Sequence, residues 1–156
     1  MRYLYGPVHS RRLGLSLGIT LTPHKVCSFD CVYCQLGRTT RKANARDDYV
    51  AIDEILNELQ EFLKTYDFKL APLDCVSLAG FGEPTLHLSI GRLIKAIKKL
   101  TPVPLVLITN ASLLREPEVR KDIMGVDVVI PSLDAVTQDV FERIDRPVSQ
   151  IKIEGI

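Results

Sequence analysis

Residues 75–110 read CVSLAGFGEPTLHLSIGRLIKAIKKLTPVPLVLITN, and this stretch decides the fold class. It begins with a short apolar run that ends in glycine (75–80), which is typical of a buried strand. Apolar residues then recur at helical spacing, at Ile90, Leu93, Ile94 and Ile97. A second apolar run follows over 104–110. A strand, an amphipathic helix and another strand in this order indicate a βαβ unit with two parallel strands.

The same alternation continues on both sides of this unit. Upstream, residues 15–21 alternate apolar and other side chains, which predicts a strand, and residues 50–66 carry one apolar helical face. Downstream, the pattern predicts a helix over 117–125, a strand over 127–134 and an amphipathic helix over 136–144. Four strand–helix pairs thus follow one another. We therefore expect an α/β fold whose parallel strands are buried on both faces of the sheet.

The composition is that of an ordinary globular protein, with 46% hydrophobic and 25% charged residues and a formal net charge of +1. This charge gives no bulk attraction to nucleic acid or to an anionic membrane. No apolar run approaches the roughly 20 residues needed to cross a bilayer, and the N-terminus has no apolar core of signal-peptide length. We expect a cytoplasmic protein that does not contact membranes and whose cysteines are reduced.

Three of the four cysteines lie together in the sequence CSFDCVYC at 27–34. Cysteines this close would form only strained disulfides, so ligation explains them better. The C-x3-C-x2-C spacing suits three irons of a [4Fe–4S] cubane and leaves the fourth iron without a protein ligand. Two alternatives stay open: a zinc site completed by His24, and unligated thiols. Cys75 lies in a predicted strand and is expected to be an inert core thiol.

Unusual residues follow each predicted strand, at the end where parallel sheets place their ligand sites. The cysteines follow the first strand, and GFGEP (80–84) follows the second. Asn110 ends the third strand, and Ser132 and Asp134 end the fourth. Each of these residues, taken alone, also suits a turn or a helix cap. Their shared position at one edge of the sheet predicts a single site.

Two of these motifs resemble signatures of the radical S-adenosylmethionine (radical SAM) superfamily. The cysteine spacing, with Tyr33 directly before the last cysteine, resembles the cluster motif of that superfamily. GFGEP resembles its glycine–glycine–glutamate–proline motif, with Phe81 in place of one glycine. The whole chain is also similar to radical SAM proteins related to wyosine-type tRNA-modifying and nitrogenase-cofactor-building enzymes.

The resemblance implies a radical SAM iron–sulfur enzyme of the oxidoreductase type. Cys27, Cys31 and Cys34 would ligate a [4Fe–4S] cluster, and SAM would be chelated at the open iron. Reductive cleavage of SAM would then give methionine and a 5′-deoxyadenosyl radical that abstracts hydrogen from a substrate. The cysteines would be ligands and not nucleophiles, and no residue is assigned as catalytic.

The resemblance also implies a set of SAM contacts. The backbone of the GFGEP motif would hold the amino group of the methionine part. Polar residues at the ends of the third and fourth strands would contact the ribose or the carboxylate, and the tyrosine would stack near the adenine or pack against its loop. The full set is Tyr33, Gly80, Phe81, Gly82, Glu83, Asn110, Ser132 and Asp134.

The family's catalytic domain is a partial (βα) barrel of six units, and the sequence supplies about four. We expect one radical SAM core domain over residues 1–156 that is incomplete at its C-terminus, either part of a longer protein or a naturally short member. The last strand would leave an unpaired edge that permits self-association. The implied partners are SAM, an electron donor such as flavodoxin or ferredoxin, and an unknown substrate for which nucleic acid and peptide are candidates.

Other functions also fit parts of the pattern. An activase of a glycyl-radical enzyme is the nearest rival within the superfamily. A zinc-binding or iron–sulfur module without catalysis is the rival from another class. A phosphate-binding α/β domain is disfavoured because the chain has no G-x-G-x-x-G or G-x-x-x-x-G-K-[ST] loop.

Overall fold

A computed structural model describes all residues from Met1 to Ile156. Its elements, in chain order, are β1 (Leu4–Ser10), β2 (Gly14–Ile19), β3 (Val26–Cys27), β4 (Arg41–Lys42), α1 (Ile52–Thr65), β5 (Cys75–Leu78), α2 (Ile90–Leu100), β6 (Leu105–Thr109), α3 (Pro117–Ile123), β7 (Val128–Pro131) and α4 (Gln138–Ile144). Short 3₁₀ turns occupy Pro84–Leu86 and Ile153–Gly155. None of the helices is both long and apolar enough to cross a membrane.

Five strands form one open sheet in the order β1-β2-β5-β6-β7. β2, β5, β6 and β7 run parallel, which confirms the predicted α/β class and agrees with a partial barrel that does not close. β1 pairs antiparallel with β2 and was not predicted. Its register shifts between Tyr5 and Val8, around Gly6 and Pro7, so the period-two pattern of a strand is interrupted there.

Helices α1 and α2 cover one face of this sheet, and the site occupies the other. Alternate strand residues pack with α1 and α2 into one core, namely Leu17, Ile19, Val76, Leu78, Leu105 and Leu107. The residues between them point to the opposite face, where the Ser16 and Ser77 hydroxyls lie 3.0 Å apart and Ile108 lines a cavity. The two faces therefore differ in chemistry because successive side chains of a strand alternate sides.

The fourth parallel strand corrects one expectation. We expected all four to be buried on both faces, but Val128 and Val129 of β7 are 46% and 37% exposed. β7 is the edge strand and pairs only with β6. α4, which follows it, packs instead on the cysteine-bearing loop, where Phe141 lies edge-on to Phe29 with ring centroids 5.3 Å apart.

Candidate functional site

One cavity of about 520 Å³ gathers most of the predicted site residues. Its volume falls within the range of small-molecule sites. The wall contains all three clustered cysteines, residues 80–83, Asn110 and Ser132. Of the predicted site residues, only Tyr33 and Asp134 lie outside this wall. A larger open depression of about 910 Å³ has no cysteine in its wall, so we assign the site to the smaller cavity.

The cysteines lie on a loop (27–34, the cysteine loop) that starts at the end of β3. The chain returns to β3 after this loop, where the short strand β4 pairs with it in parallel and places Cys27 opposite Lys42. Within the loop, Cys34 N–H donates to the Cys31 carbonyl over 3.2 Å, which folds the last turn. All three thiols are half-buried, and none forms a disulfide.

Two of the three thiols of this loop, those of Cys27 and Cys31, are hard to ionise. Burial raises the pKa of Cys27 to about 11, and the nearby Glu83 carboxylate acts in the same direction. Burial also raises the pKa of Cys31 to about 12, with a further contribution from Asp145. Such protonated thiols are poor nucleophiles at neutral pH, and a metal that binds them must displace their protons. The loop therefore suits metal ligation better than covalent catalysis.

The turn that carries GFGEP (80–84, the GFGEP turn) needs glycine at two positions for different reasons. Gly80 has φ +112°, a conformation that L side chains rarely adopt. A Cβ on Gly82 would overlap the carbonyl oxygen of Val26, because the turn lies directly against β3. Position 81, between the two glycines, carries a side chain. The N–H of Phe81 donates to Thr20 Oγ1 over 3.2 Å. The turn and the cysteine loop are thus in backbone contact.

Glu83 is buried and turned toward the protein interior. Its Oε1 accepts from Thr109 Oγ1 at 2.6 Å and from both the N–H and the hydroxyl of Thr85 at 3.0 and 2.5 Å. Its Oε2 accepts from Asn110 N–H at 2.8 Å. Burial raises the pKa of this carboxyl, and the same hydrogen bonds oppose the rise. The carboxylate thus joins the ends of β5 and β6, and a contact from Glu83 to SAM stays a prediction.

Asn110 connects the end of β6 to the cysteine loop. Its Nδ2 donates to Ser28 Oγ over 2.9 Å and lies 3.6 Å from Cys27 Sγ. Its Oδ1 accepts from Ser112 N–H over 3.0 Å, and the Ser112 and Ser28 hydroxyls are 2.7 Å apart. The side chain therefore has defined partners at a cavity wall, and its role toward SAM stays a prediction.

Tyr33 and Asp134 contact each other outside the cavity wall. The Tyr33 hydroxyl donates to Asp134 Oδ2 over 2.5 Å and lies 3.3 Å from Asp145 Oδ1. The tyrosine is 56% exposed. Burial of the hydroxyl end and its carboxylate neighbours raise the pKa of Tyr33. The hydroxyl partners of Tyr33 thus lie after β7 and after α4, and stacking of the ring near the adenine of SAM stays a prediction.

Residues 144–148, here called the anchoring segment, hold the cysteine loop from outside. Three backbone hydrogen bonds of 2.9 Å join them: Asp30 N–H to the Asp145 carbonyl, Val32 N–H to the Ile144 carbonyl, and Val148 N–H to the Ser28 carbonyl. The buried Asp145 carboxylate also lies 3.3 Å from Cys31 Sγ. Burial raises the pKa of Asp145. No local sequence signal marks this segment, because its partners lie more than 100 residues away.

The donor set suits the cluster implied by the resemblance. No three histidine, cysteine or carboxylate side chains are gathered closely enough in this structure to hold one metal ion, and His24 lies outside the cavity wall that contains the cysteines. Tetrahedral zinc needs all its thiolates about 2.3 Å from one atom. A cubane presents separate irons, each taking one thiolate, so three cysteines spread along one cavity wall fit it.

Comparison with known proteins agrees with the geometry. The family model described as the Radical SAM superfamily matches residues 21–154. A UPF0026 protein of Synechocystis is 39% identical over 98% of this chain and 56% of its own length. A protein of Brachyspira hyodysenteriae named GTPase Obg is 44% identical over 97% of this chain and 22% of its own length. A probable GTP 3′,8-cyclase of Saccharolobus islandicus is 28% identical over 87% of this chain and 42% of its own length.

The chain spans about half the length of the UPF0026 relative and about a fifth of the length of the GTPase. The family match nevertheless covers both the cysteine loop and the GFGEP turn. This chain belongs to the radical SAM superfamily.

Proposed function

We propose that this radical SAM enzyme holds a [4Fe–4S] cluster through Cys27, Cys31 and Cys34 and binds SAM beside it. One observation carries the proposal: the three cysteines, on the loop that starts at the end of β3, share a cavity wall with residues 80–83, which follow β5. A soft thiolate set suits iron, and a glycine-lined backbone lets a small ligand approach closely.

The bound cofactors would supply one-electron chemistry: an electron from the cluster would cleave SAM to methionine and a 5′-deoxyadenosyl radical, which would abstract hydrogen from the substrate. The residues of the chain bind and orient the cofactors and exclude water from the site. The cysteine thiols release their protons on ligation. Gly80 and Gly82 offer backbone without side chains to the amino group of the methionine part. Glu83 holds that turn in place through the strand ends that it joins.

The whole enzyme needs a substrate and an electron donor, and both are part of the proposal. We propose a phosphate-bearing substrate, since three basic residues (Arg38, Lys42 and Arg146) line the open depression beside the cysteine loop and outnumber its two carboxylates, Asp30 and Glu142. Arg46 is not one of these basic residues, because its guanidinium pairs with Asp122 at 2.7 Å. The related GTP cyclase is named for a nucleotide substrate, which makes nucleotides the first class to test. A flavodoxin or ferredoxin would supply the electron.

Anaerobic reconstitution with iron and sulfide tests the cluster. We expect four irons and four sulfides per chain, and a reduced-state paramagnetic resonance spectrum that changes when SAM is added. Alanine at Cys27, Cys31 or Cys34 should abolish this cluster. Cys75→Ala is the matched control, because this buried thiol lies in β5 and outside the cavity wall. Zinc without sulfide, or unchanged iron in all three variants, would overturn the proposal.

A further inference from the structure

Lys25 is a buried cation in the wall of the site. The residue is only 3% exposed, yet its side chain reaches the cavity that contains the cysteines. Its Nζ donates one hydrogen bond, to the Gly37 carbonyl over 2.8 Å. No carboxylate oxygen lies within salt-bridge distance of this ammonium. An ammonium group has three donors, so two of its hydrogens have no protein acceptor.

The position of Lys25 is fixed by its backbone. Its N–H donates to Thr40 Oγ1 over 2.7 Å, and its carbonyl accepts from Thr40 N–H and Arg41 N–H, each over 3.2 Å. These bonds lie at the base of the cysteine loop, where β3 and β4 pair. The ammonium is therefore held beside the loop by the same contacts that shape the loop.

The remaining wall offers no charge that would balance Lys25. The cavity contains no other lysine, arginine or histidine, and its one carboxylate belongs to Glu83. That carboxylate already accepts four hydrogen bonds from Thr85, Thr109 and Asn110. Outside the wall, the Thr39 N–H and, to a smaller extent, Lys25 lower the pKa of the buried Asp30. Lys25 forms no ion pair with that carboxylate, which is already occupied by Thr39 and Arg38. A buried charge without an ion-pair partner is costly in free energy, so such a group marks a place for an opposite charge.

We infer that Lys25 binds an anionic group in the cavity, next to the cysteine loop. This inference rests on the proposed function, which brings two anions to that place. One is the negative charge of the thiolate-ligated cluster, and the other is the carboxylate of the methionine part of SAM. Both would accept hydrogen bonds from the two free ammonium hydrogens.

Three variants separate the charge from the hydrogen bond to Gly37. Lys25→Met removes both, Lys25→Gln keeps a donor without the charge, and Lys25→Arg keeps both. Lys95→Met is the matched control, because Lys95 is exposed on α2, far from this wall in the fold. Each variant is reconstituted, its iron and sulfide are measured, and its reduction potential without SAM and its affinity for SAM are determined.

The two anions give different results. If the cluster is the anion, the potential without SAM becomes more negative in Lys25→Met and Lys25→Gln, because a nearby positive charge favours the added electron. If the SAM carboxylate is the anion, the potential is unchanged and SAM binds about tenfold more weakly, as expected for one lost charge-assisted hydrogen bond. Lys25→Arg and Lys95→Met should resemble the wild type in both measurements.

Other outcomes overturn the inference or the function separately. Loaded Lys25→Met with wild-type potential and wild-type SAM affinity would overturn the inference alone. If Lys25→Met does not load, loading by Lys25→Arg but not by Lys25→Gln supports a charge role. If Lys25→Gln loads as well, its potential and its SAM affinity decide, and wild-type values for both contradict the inference. Failure of all three Lys25 variants to load would assign Lys25 to folding and contradict the inference. Failure of the wild type to load would instead overturn the proposed function.

Discussion

The cysteine loop and the GFGEP turn line the same cavity but are held in place by different contacts. The GFGEP turn is fixed by one buried carboxylate, Glu83, whose partners lie on the turn and at the end of the neighbouring strand. The cysteine loop is fixed by backbone hydrogen bonds to the anchoring segment, which follows the last helix. The GFGEP turn therefore depends on a side chain, and the cysteine loop depends on backbone groups that are distant in the sequence.

This difference follows from the local structure of the two regions. The GFGEP turn follows β5 almost directly. The single carboxylate of Glu83 is therefore enough to accept hydrogen bonds from the N–H and hydroxyl groups that the ends of β5 and β6 leave free. The cysteine loop leaves the sheet and has no regular structure over 28–40, so its buried N–H groups need partners from elsewhere. The anchoring segment supplies them, and Phe141 packs that segment onto Phe29.

The largest expected effect comes from breaking the support of the cysteine loop. Phe141→Ala removes a fully buried ring and should lower the free energy of unfolding by about 3–5 kcal/mol. Hydrogen exchange should speed up at the amides of Asp30 and Val32, which donate to the anchoring segment. Val136→Ala, on an exposed side chain, is the control and should change stability little. Unchanged protection of both amides in the Phe141 variant would contradict this account.

The reciprocal change addresses the GFGEP turn. Glu83→Gln replaces one acceptor oxygen with an NH₂ group that faces donors, so a buried donor loses its partner and stability should fall by about 1–3 kcal/mol. Exchange should speed up at the amides of Thr85 and Asn110 and not at Val32. Glu118→Gln, on exposed α3 surface, is the control. Equal loss of protection in both regions would mean that they do not have separate supports.

The glycines of the two regions sharpen the comparison. Gly82→Ala should cost about 1–3 kcal/mol, because the added Cβ overlaps the Val26 carbonyl and pushes the GFGEP turn away from β3. Gly37, just after the cysteine loop, has φ +76° and open space around it. Gly37→Ala should therefore cost about 1 kcal/mol of backbone strain alone. Denaturant unfolding measures the stability of both alanine variants. Gly37→Asn should be more stable than Gly37→Ala, because asparagine tolerates a positive φ, whereas asparagine at position 82 should bring no such recovery.

The chemical residues of the site could be predicted from the sequence because they form short motifs at strand ends. The parallel topology, itself visible as alternating strand and helix patterns, brings those ends to one edge of the sheet. This reasoning placed the three cysteines and residues 80–83 in one cavity wall. It also gave the bounds of α1 to within two residues at each end.

The supporting contacts could not be predicted in this way. Asp145 reaches Cys31 across 114 residues, and nothing near Asp145 in the sequence marks it as buried. Lys25 is a charged residue in a polar stretch, and only the structure shows its burial. The exposure of β7 was also missed, since an apolar run does not show whether a helix covers it. Each omission concerns a contact between residues far apart in the sequence.

The smallest effect is a pH dependence beside the GFGEP turn, where a histidine is buried. His87 is completely buried as a neutral imidazole: Nε2 donates to the Val50 carbonyl at 2.9 Å, and Nδ1 accepts from Ser89 N–H at 3.1 Å. Burial lowers the pKa of His87 below its ordinary value, against the opposing pull of Asp48. A protonated ring would lose the hydrogen bond from Ser89.

The sign of the effect follows from proton uptake. Below about pH 6.5 the unfolded chain binds a proton at this histidine that the folded chain does not, so stability falls as the pH drops, by at most about 1.4 kcal/mol per pH unit. Above pH 6.5 both states are neutral at His87 and the contribution is constant. Denaturant unfolding of wild type, His87→Asn and His9→Gln between pH 7.5 and 5.5 measures it. The decline should be smaller in His87→Asn and unchanged in His9→Gln, whose histidine is exposed. An equal decline in His87→Asn would mean that the folded chain binds a proton at His87 as readily as the unfolded chain does, which would contradict the lowered pKa of the buried ring.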